Sequence, residues 1–365
     1  MNQWDGRGWP PAAEKTGTVQ LRLDATADDA DCISNISATA ILGDSLFLAS
    51  DEGGCIERLT WDGSRWSHQL RVDLTELLDV RDKAEEMDLE GLAACDGWLW
   101  VLGSHARTRP KVKRAEGDCI DLDLLANLKD TRARALLARL PLVRDGGGWM
   151  PVGKDGIRRA GIMKQDKNGN AIARLLRNNT LIQPFTCLPA KEGGVDLEGI
   201  AVCGERVALG MRGPVIGGHA LLVEVQVAAK KSGKLHLVDD EAAFRLLALE
   251  GLGIRDLHRD GDDLLILAGP TTSLSGPCAV YRWTDWANDP PQDLAKVRLH
   301  RPERVLELPF GRGVDHPEGI AIWDRGDGGS TCLLVACDSP APERLLDEGK
   351  TIVADLFALP GGAQA

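Results

Sequence analysis

One hexapeptide pattern is written three times in this chain: Asp88-Leu89-Glu90-Gly91-Leu92-Ala93, Asp196-Leu197-Glu198-Gly199-Ile200-Ala201 and His316-Pro317-Glu318-Gly319-Ile320-Ala321. Each copy runs into a small apolar strand, a Gly/Asp turn and a second apolar strand. A chain of this kind is a repeat protein carrying one carboxylate per copy. That carboxylate is its main clue to function.

Taking the whole unit as template adds two copies without the glutamate, at 34–40 and 253–257, each followed by its own turn (Gly43-Asp44, Gly261-Asp262) and second strand. Third apolar runs follow at 55–61, 135–143, 220–227, 278–283 and 351–359, and fourth runs at 68–74, 181–188, 244–249 and 304–308. The last copy lacks a fourth run; the segment 17–23 supplies it from the other end of the chain. Four short strands per repeat are the signature of a β-propeller, in which each sheet is one blade around a channel. A last blade completed by the N-terminal strand removes the sheet edge that would otherwise invite aggregation.

The reading is therefore an all-β, five-bladed β-propeller closed by the N-terminal strand. Six blades are the alternative, because the gap between the second and third copies is about twice the usual one. The whole chain, 1–365, reads as one domain. Two insertions fall in the second blade. One, 107–134, leaves the functional rim with a basic run, Arg107 to Arg114, and a helical stretch at 121–128. The other, 144–180, is expected between strands three and four and so on the opposite face.

Composition narrows the partners. A formal net charge of −12 and a pI near 5.1 exclude a nucleic-acid partner, whose phosphates need a basic face. No apolar stretch approaches the roughly 20 residues that span a membrane, and the first residues lack a basic-then-apolar leader, so a cytoplasmic location is expected. Nine cysteines are scattered without a C-x-x-C pair, and those in or beside apolar strands, Cys55, Cys95, Cys203, Cys278 and Cys332, read as reduced core residues. The tryptophans of strand-like segments, among them Trp61, Trp66 and Trp283, read as packing.

Strand direction places the carboxylates. The start of the first strand and the end of the second meet at one face of the disc, so Asn35, Ser37, Glu90, Glu198, Arg255, His316 and Glu318 share a rim with Asp51, His105, Arg107, Arg212 and Asp338. One meaning is structural: Asp before a tight turn bonds local backbone, and the Gly after Glu supplies an unusual φ. The other is functional, since three carboxylates converging on a channel repel one another unless something positive sits between them. Arg255, from a blade without Glu, is one candidate. A Ca²⁺ or Mg²⁺ ion held by Glu90, Glu198, Glu318 and Asn35 is the other. Catalysis would add a channel ion to polarise the ester oxygen, His105 or His316 to move a proton and Arg212 or Arg107 to hold an anionic substrate, with Arg255 in the same site.

The Asp-Leu-Glu-Gly-Ile-Ala repeat, the Ala-Ser-Asp-Glu after the first copy and Gly-Ile-Arg-Asp-Leu in the fourth resemble a bacterial family known only as a domain of unknown function, over nearly the whole chain. The Glu-Gly-Ile-Ala element is also similar to motifs in the esterase-like phytase and SdiA-regulated propeller proteins. That wider resemblance covers one hexapeptide per blade; it implies channel calcium and metal-assisted ester or phosphoester hydrolysis at Glu90, Glu198 and Glu318. Three functions stay open: a hydrolase of small anionic esters or phosphoesters, a non-catalytic ligand sensor, and a protein-interaction scaffold.

Overall fold

Two apolar runs on either side of a Gly/Asp turn become an antiparallel hairpin in every repeat. In the second unit Asp96 and Gly97 take φ of 50° and 75°, the left-handed pair that lets a two-residue turn follow the strand twist. A computed structural model describes residues 9–23, 34–80, 86–110, 122–129, 132–239, 241–272, 274–289, 296–310, 315–325 and 330–359.

The strands run in chain order. β1 (Gly17–Arg22) precedes the first unit, β2 (Ile36–Leu42), β3 (Ser45–Ser50), β4 (Cys55–Trp61) and β5 (Trp66–Asp73). The second unit is β6 (Leu89–Cys95), β7 (Trp98–Gly103) and β8 (Leu137–Asp145), the small extensions β9 (Gly148–Pro151), β10 (Lys154–Asp155) and β11 (Arg158–Arg159), then β12 (Gly161–Ile162). The third is β13 (Asp196–Cys203), β14 (Arg206–Ile216), β15 (His219–Ala229), β16 (Leu235–Leu237) and β17 (Ala243–Leu247). β18 (Gly253–Asp260), β19 (Asp263–Gly269), β20 (Cys278–Trp283), β21 (Arg298–His300) and β22 (Glu303–Leu308) follow; β23 (His316–Trp323), β24 (Cys332–Asp338), β25 (Leu345–Leu346) and β26 (Thr351–Ala358) end the chain.

Pairing groups them into all-β meanders of the propeller type. The orders are β6-β7-β8-β12, β13-β14-β15-β17 and β18-β19-β20-β22, with one long sheet, β2-β3-β4-β5-β1-β26-β24-β23. That long sheet is two four-strand groups joined by a single parallel contact, Leu21 with Trp66. β1 pairs antiparallel with β26 from Gly17–Leu356 to Arg22–Thr351, so the N-terminal strand does complete the last group. The first strands β2, β6, β13, β18 and β23 stand side by side in cyclic order, β23 beside β2 closing the ring. At that seam Trp61 packs edge to face on Trp66 and Trp323, which are themselves tilted against each other, with centroids 4.6 to 5.6 Å apart. Trp66 and Trp323 are buried, which makes them core.

The second unit departs from expectation. Its fourth strand is the two-residue β12, paired with Arg139 and Ala138 of β8, and the run at 181–188 is a turn of 3-10 helix instead. Of 144–180, only 146–160 therefore lies between strands three and four. The following stretch belongs to the link into β13, on the rim side: the Ala190 amide donates to the Arg107 carbonyl, 2.9 Å, and Asn170 bonds His105. The helix Ala171–Asn178, capped by the Asn170 side chain, is thus not on the opposite face. In the rim insertion the helix is Leu122–Ala126, and Lys111 to Arg114 of the basic run lie outside the described residues. Among the described residues no helix is long and apolar enough to cross a membrane, and the seven described cysteines are free.

Candidate functional site

Each first strand carries a register break near its start, at Ile36/Ala38, Leu89/Gly91, Leu197/Gly199, Ile254/Asp256 and Pro317/Gly319. The extra residue of each bulge is Ser37, Glu90, Glu198, Arg255 or Glu318. A bulge leaves one residue outside the ladder and re-aims its side chain. The repeated glutamate is therefore one member of a ring of five equivalent positions, two of which hold Ser and Arg.

The glycine after it has a packing reason. A Cβ on Gly199 would lie 2.9 Å from the Leu257 amide nitrogen, and one on Gly319 would lie 2.7 Å from Thr39 Cγ2. Neither glycine has a positive φ, so close approach of neighbouring first strands, not an unusual dihedral, requires it. The fourth unit has Asp256 at this place. Its buried carboxylate accepts the amides of Leu257 and, across the strand boundary, Ile320, each at 2.8 Å.

The ring is joined by ion pairs. Arg255 hydrogen-bonds Glu318 through Nη1, which also lies 3.5 Å from Glu198 Oε2. Arg212, at the β14 side of the rim, reaches Asp196 at 2.5 Å and stands 2.7 Å from Glu198 Oε1 without hydrogen-bond geometry. Ser37 donates to the Leu89 carbonyl. Asp88, in a left-handed conformation, accepts Ser104 and Arg134, and Arg134 also binds Glu86. The repeated aspartates thus bind side chains, not local turns.

Glu90 stands apart. It is 9% exposed and makes no ion pair among the described residues. Burial, then Glu198, Asp88, Asp196 and Glu318, hold its carboxyl well above the usual range. Burial also raises Glu198 to about 8 against the pull of Arg212 and Arg255, and Asp88 to about 6 against Arg134. Asp51, after β3, is raised to about 7 by burial and by Asp88, Asp338 and Glu318, and its Oδ1 is buried without a hydrogen-bond partner. Carboxylates outnumber arginines here, and the low dielectric makes the surplus expensive.

The structure brings Glu90, Glu198, Glu318, Arg212 and Arg255 into one cluster. His316 opens β23 opposite Asp338, next to it, and Asn35 precedes β2 at the same rim. His105 is separate. It is buried, its Nδ1 bonds the Gly103 carbonyl at 2.8 Å and its Nε2 meets Asn170 at 2.9 Å, and burial lowers its pKa to about 4. Such a neutral, doubly held ring braces the link after β12. Arg134 is the residue the sequence reading omits; the start of each third strand shares this rim, and extending the rule to it would have found Arg134 ahead of β8. Among the described residues no group of three or more His, Cys, Asp or Glu side chains is placed to hold a metal ion.

Fold and site define a propeller with an acid-rich channel mouth. Residues 35–355 match the model of the family described as "Protein of unknown function (DUF3616)", and the chain belongs to that family. No curated protein matches it. Similar solved structures include the glutaminyl cyclase of Myxococcus xanthus, 10% identical over 93% of each chain with a TM-score of 0.39. The major allergen Mala s 1 of Malassezia sympodialis is 9% identical over 95% of this chain and 98% of that one, with a TM-score of 0.43. A streptogramin B lyase is 10% identical over 93% and 97%, with a TM-score of 0.33.

Proposed function

We propose that the chain is a five-bladed propeller whose channel mouth binds a small ligand through a positively charged ammonium or guanidinium group, with Glu90 as its counter-ion. The observation that carries this reading is the unequal treatment of the three repeated glutamates: Glu198 and Glu318 each pair with a guanidinium, and Glu90 makes no ion pair among the described residues. A buried carboxylate left unpaired is held neutral or awaits a cation. Asp51 Oδ1 offers a second acceptor.

The same pairing bears on the hydrolase reading. Arg212 and Arg255, the groups that would hold an anionic ester or phosphoester, are both engaged by carboxylates, so the local charge favours the opposite sign of ligand. With no preformed group of three ligands among the described residues, an organic cation fits better than Ca²⁺ or Mg²⁺.

Calorimetric titration with methylguanidinium, methylammonium, Ca²⁺ and Mg²⁺ tests this. One of the organic cations is expected to bind one per chain, more tightly at pH 8 than at pH 5, and Glu90→Gln is expected to weaken it about tenfold or more. Binding of only the divalent ions, with release by chelator, would replace this reading with a metal site. No binding of any cation would remove it.

A further inference from the structure

The other end of the channel carries a second pocket with the opposite chemistry. A cavity of about 300 Å³ opens there, lined by the far halves of β2, β6, β13 and β18. Its accessible apolar surface comes from Ile41, Ala93 and Ala94, while Leu92, Ile200 and Val202 behind them are at most 2% exposed; Cys95, Asp96 and His258 also line it. One strong cation faces it, Arg259 on β18, four residues beyond Arg255 on the same strand. Strand geometry sends one arginine to each end of the channel.

The two arginines are met differently. Arg255 is held between Glu198 and Glu318, whereas Arg259 pairs with no carboxylate among the described residues. Its Nε donates to the Gly261 carbonyl at 2.8 Å, and Nη1 has only long contacts, 3.5 Å to the Val202 carbonyl and 4.0 Å to Cys95 Sγ. Burial, followed by Asp96, pushes the Cys95 thiol up to about 11, so the sulfur beside Arg259 is neutral. The Cys95 thiol donates to the Val202 carbonyl at 3.5 Å, and Asp96, the acid of the lining, is exposed and makes no ion pair with Arg259 among the described residues.

We propose that this pocket is a second ligand site, which takes a small monoanion with an apolar body, a medium-chain or aromatic carboxylate, its acid group on Arg259 and its hydrocarbon against Ile41, Ala93 and Ala94. A cavity of this size that combines apolar surface with a few placed polar groups, here Arg259, His258 and Asp96, is the usual form of a small-molecule site. A guanidinium recognises a carboxylate by two parallel hydrogen bonds, and in apolar surroundings that pairing is strong.

Isothermal titration of the full chain with sodium octanoate tests it, with octanol and octylammonium as comparators and Arg174→Met, on an exposed helix arginine, as a control for general loss of positive charge. Octanoate is expected to bind one per chain, and octylammonium not to bind at this site. Arg259→Met, which keeps an apolar stem, is expected to weaken octanoate by about tenfold or more, with no change in Arg174→Met. Should Arg259→Met fail to fold, Ala94→Phe fills the pocket with Arg259 intact and is expected to abolish binding. No octanoate binding to the wild type at millimolar concentration, equal binding of octanol, or full binding by either pocket variant would overturn the proposal.

Discussion

At Gly199 the methyl group of an alanine has no room. It would press on the backbone of the neighbouring first strand, 2.9 Å from the Leu257 nitrogen and 3.0 Å from the Asp256 carbonyl carbon, and backbone within a closed ring cannot swing aside. Overpacking of this kind costs about 1–3 kcal/mol, so urea denaturation of Gly199→Ala should show a loss in that range. Gly147 is the control: nothing lies within 4 Å of its added Cβ and its φ is not positive, so Gly147→Ala should keep its midpoint or gain slightly. The same residue-scale view shows what the sequence made readable. Arg255 was identifiable as the positive group because a repeat displays a substitution against its siblings. The reason for the glycine was not, because a turn-forming φ and a close approach leave the same letter in the chain. Arg134 was missed since it belongs to no repeated word.

Among the elements, the third and fourth units are tied by a device that no repeat pattern announces. β21 leaves the fourth unit and pairs parallel with β17 of the third, from Arg245–Arg298 to Leu247–His300. Beneath it Glu224 of β15 accepts Arg206 at 3.1 Å, Arg245 at 2.9 and 2.8 Å and the Trp286 indole at 2.7 Å. Both guanidinium groups lose this partner in Glu224→Ala, and Arg245 is only 1% exposed. Breaking a buried pair by removing one member costs about 3–5 kcal/mol, a loss that denaturant unfolding should register; activity at either channel end is not needed to see it. Element signals were legible where periodicity had length to act. β13, β18 and β23 each run eight residues, long enough for the repeated word and its apolar run to show them. β12 has two residues, too few for any period, so the reading assigned its role to the apolar run at 181–188 and sent the helix Ala171–Asn178 to the wrong face.

For the molecule as a whole, closure of the ring has an electrostatic consequence. Five bulged residues drawn from distant parts of the chain are forced to share one mouth, and the acids among them ionise less readily folded than unfolded. Glu198 moves from 4.5 to about 8, and Asp51, beside the ring at the end of β3, from 3.8 to about 7, burial being the first cause of each. A carboxyl whose folded pKa is raised holds its proton better in the native state. Its contribution is fully present below the unfolded pKa and is lost as pH rises through the folded one. Between about pH 4.5 and 8 this mouth therefore subtracts stability progressively. Glu90, raised in the same direction and ion-paired with no guanidinium among the described residues, shows the effect most directly. Glu90→Gln cannot ionise, so its melting temperature relative to the wild type should rise with pH across that window, the two curves converging at the acid end. A saturating organic cation should close the gap from the other side, raising the wild type alone, because a ligand that binds only the folded state stabilises it by mass action. Parallel melting curves for the two proteins from acid to alkaline pH would mean that Glu90 is not strained by its neighbours, and the cation proposed for the channel mouth would lose its physical basis.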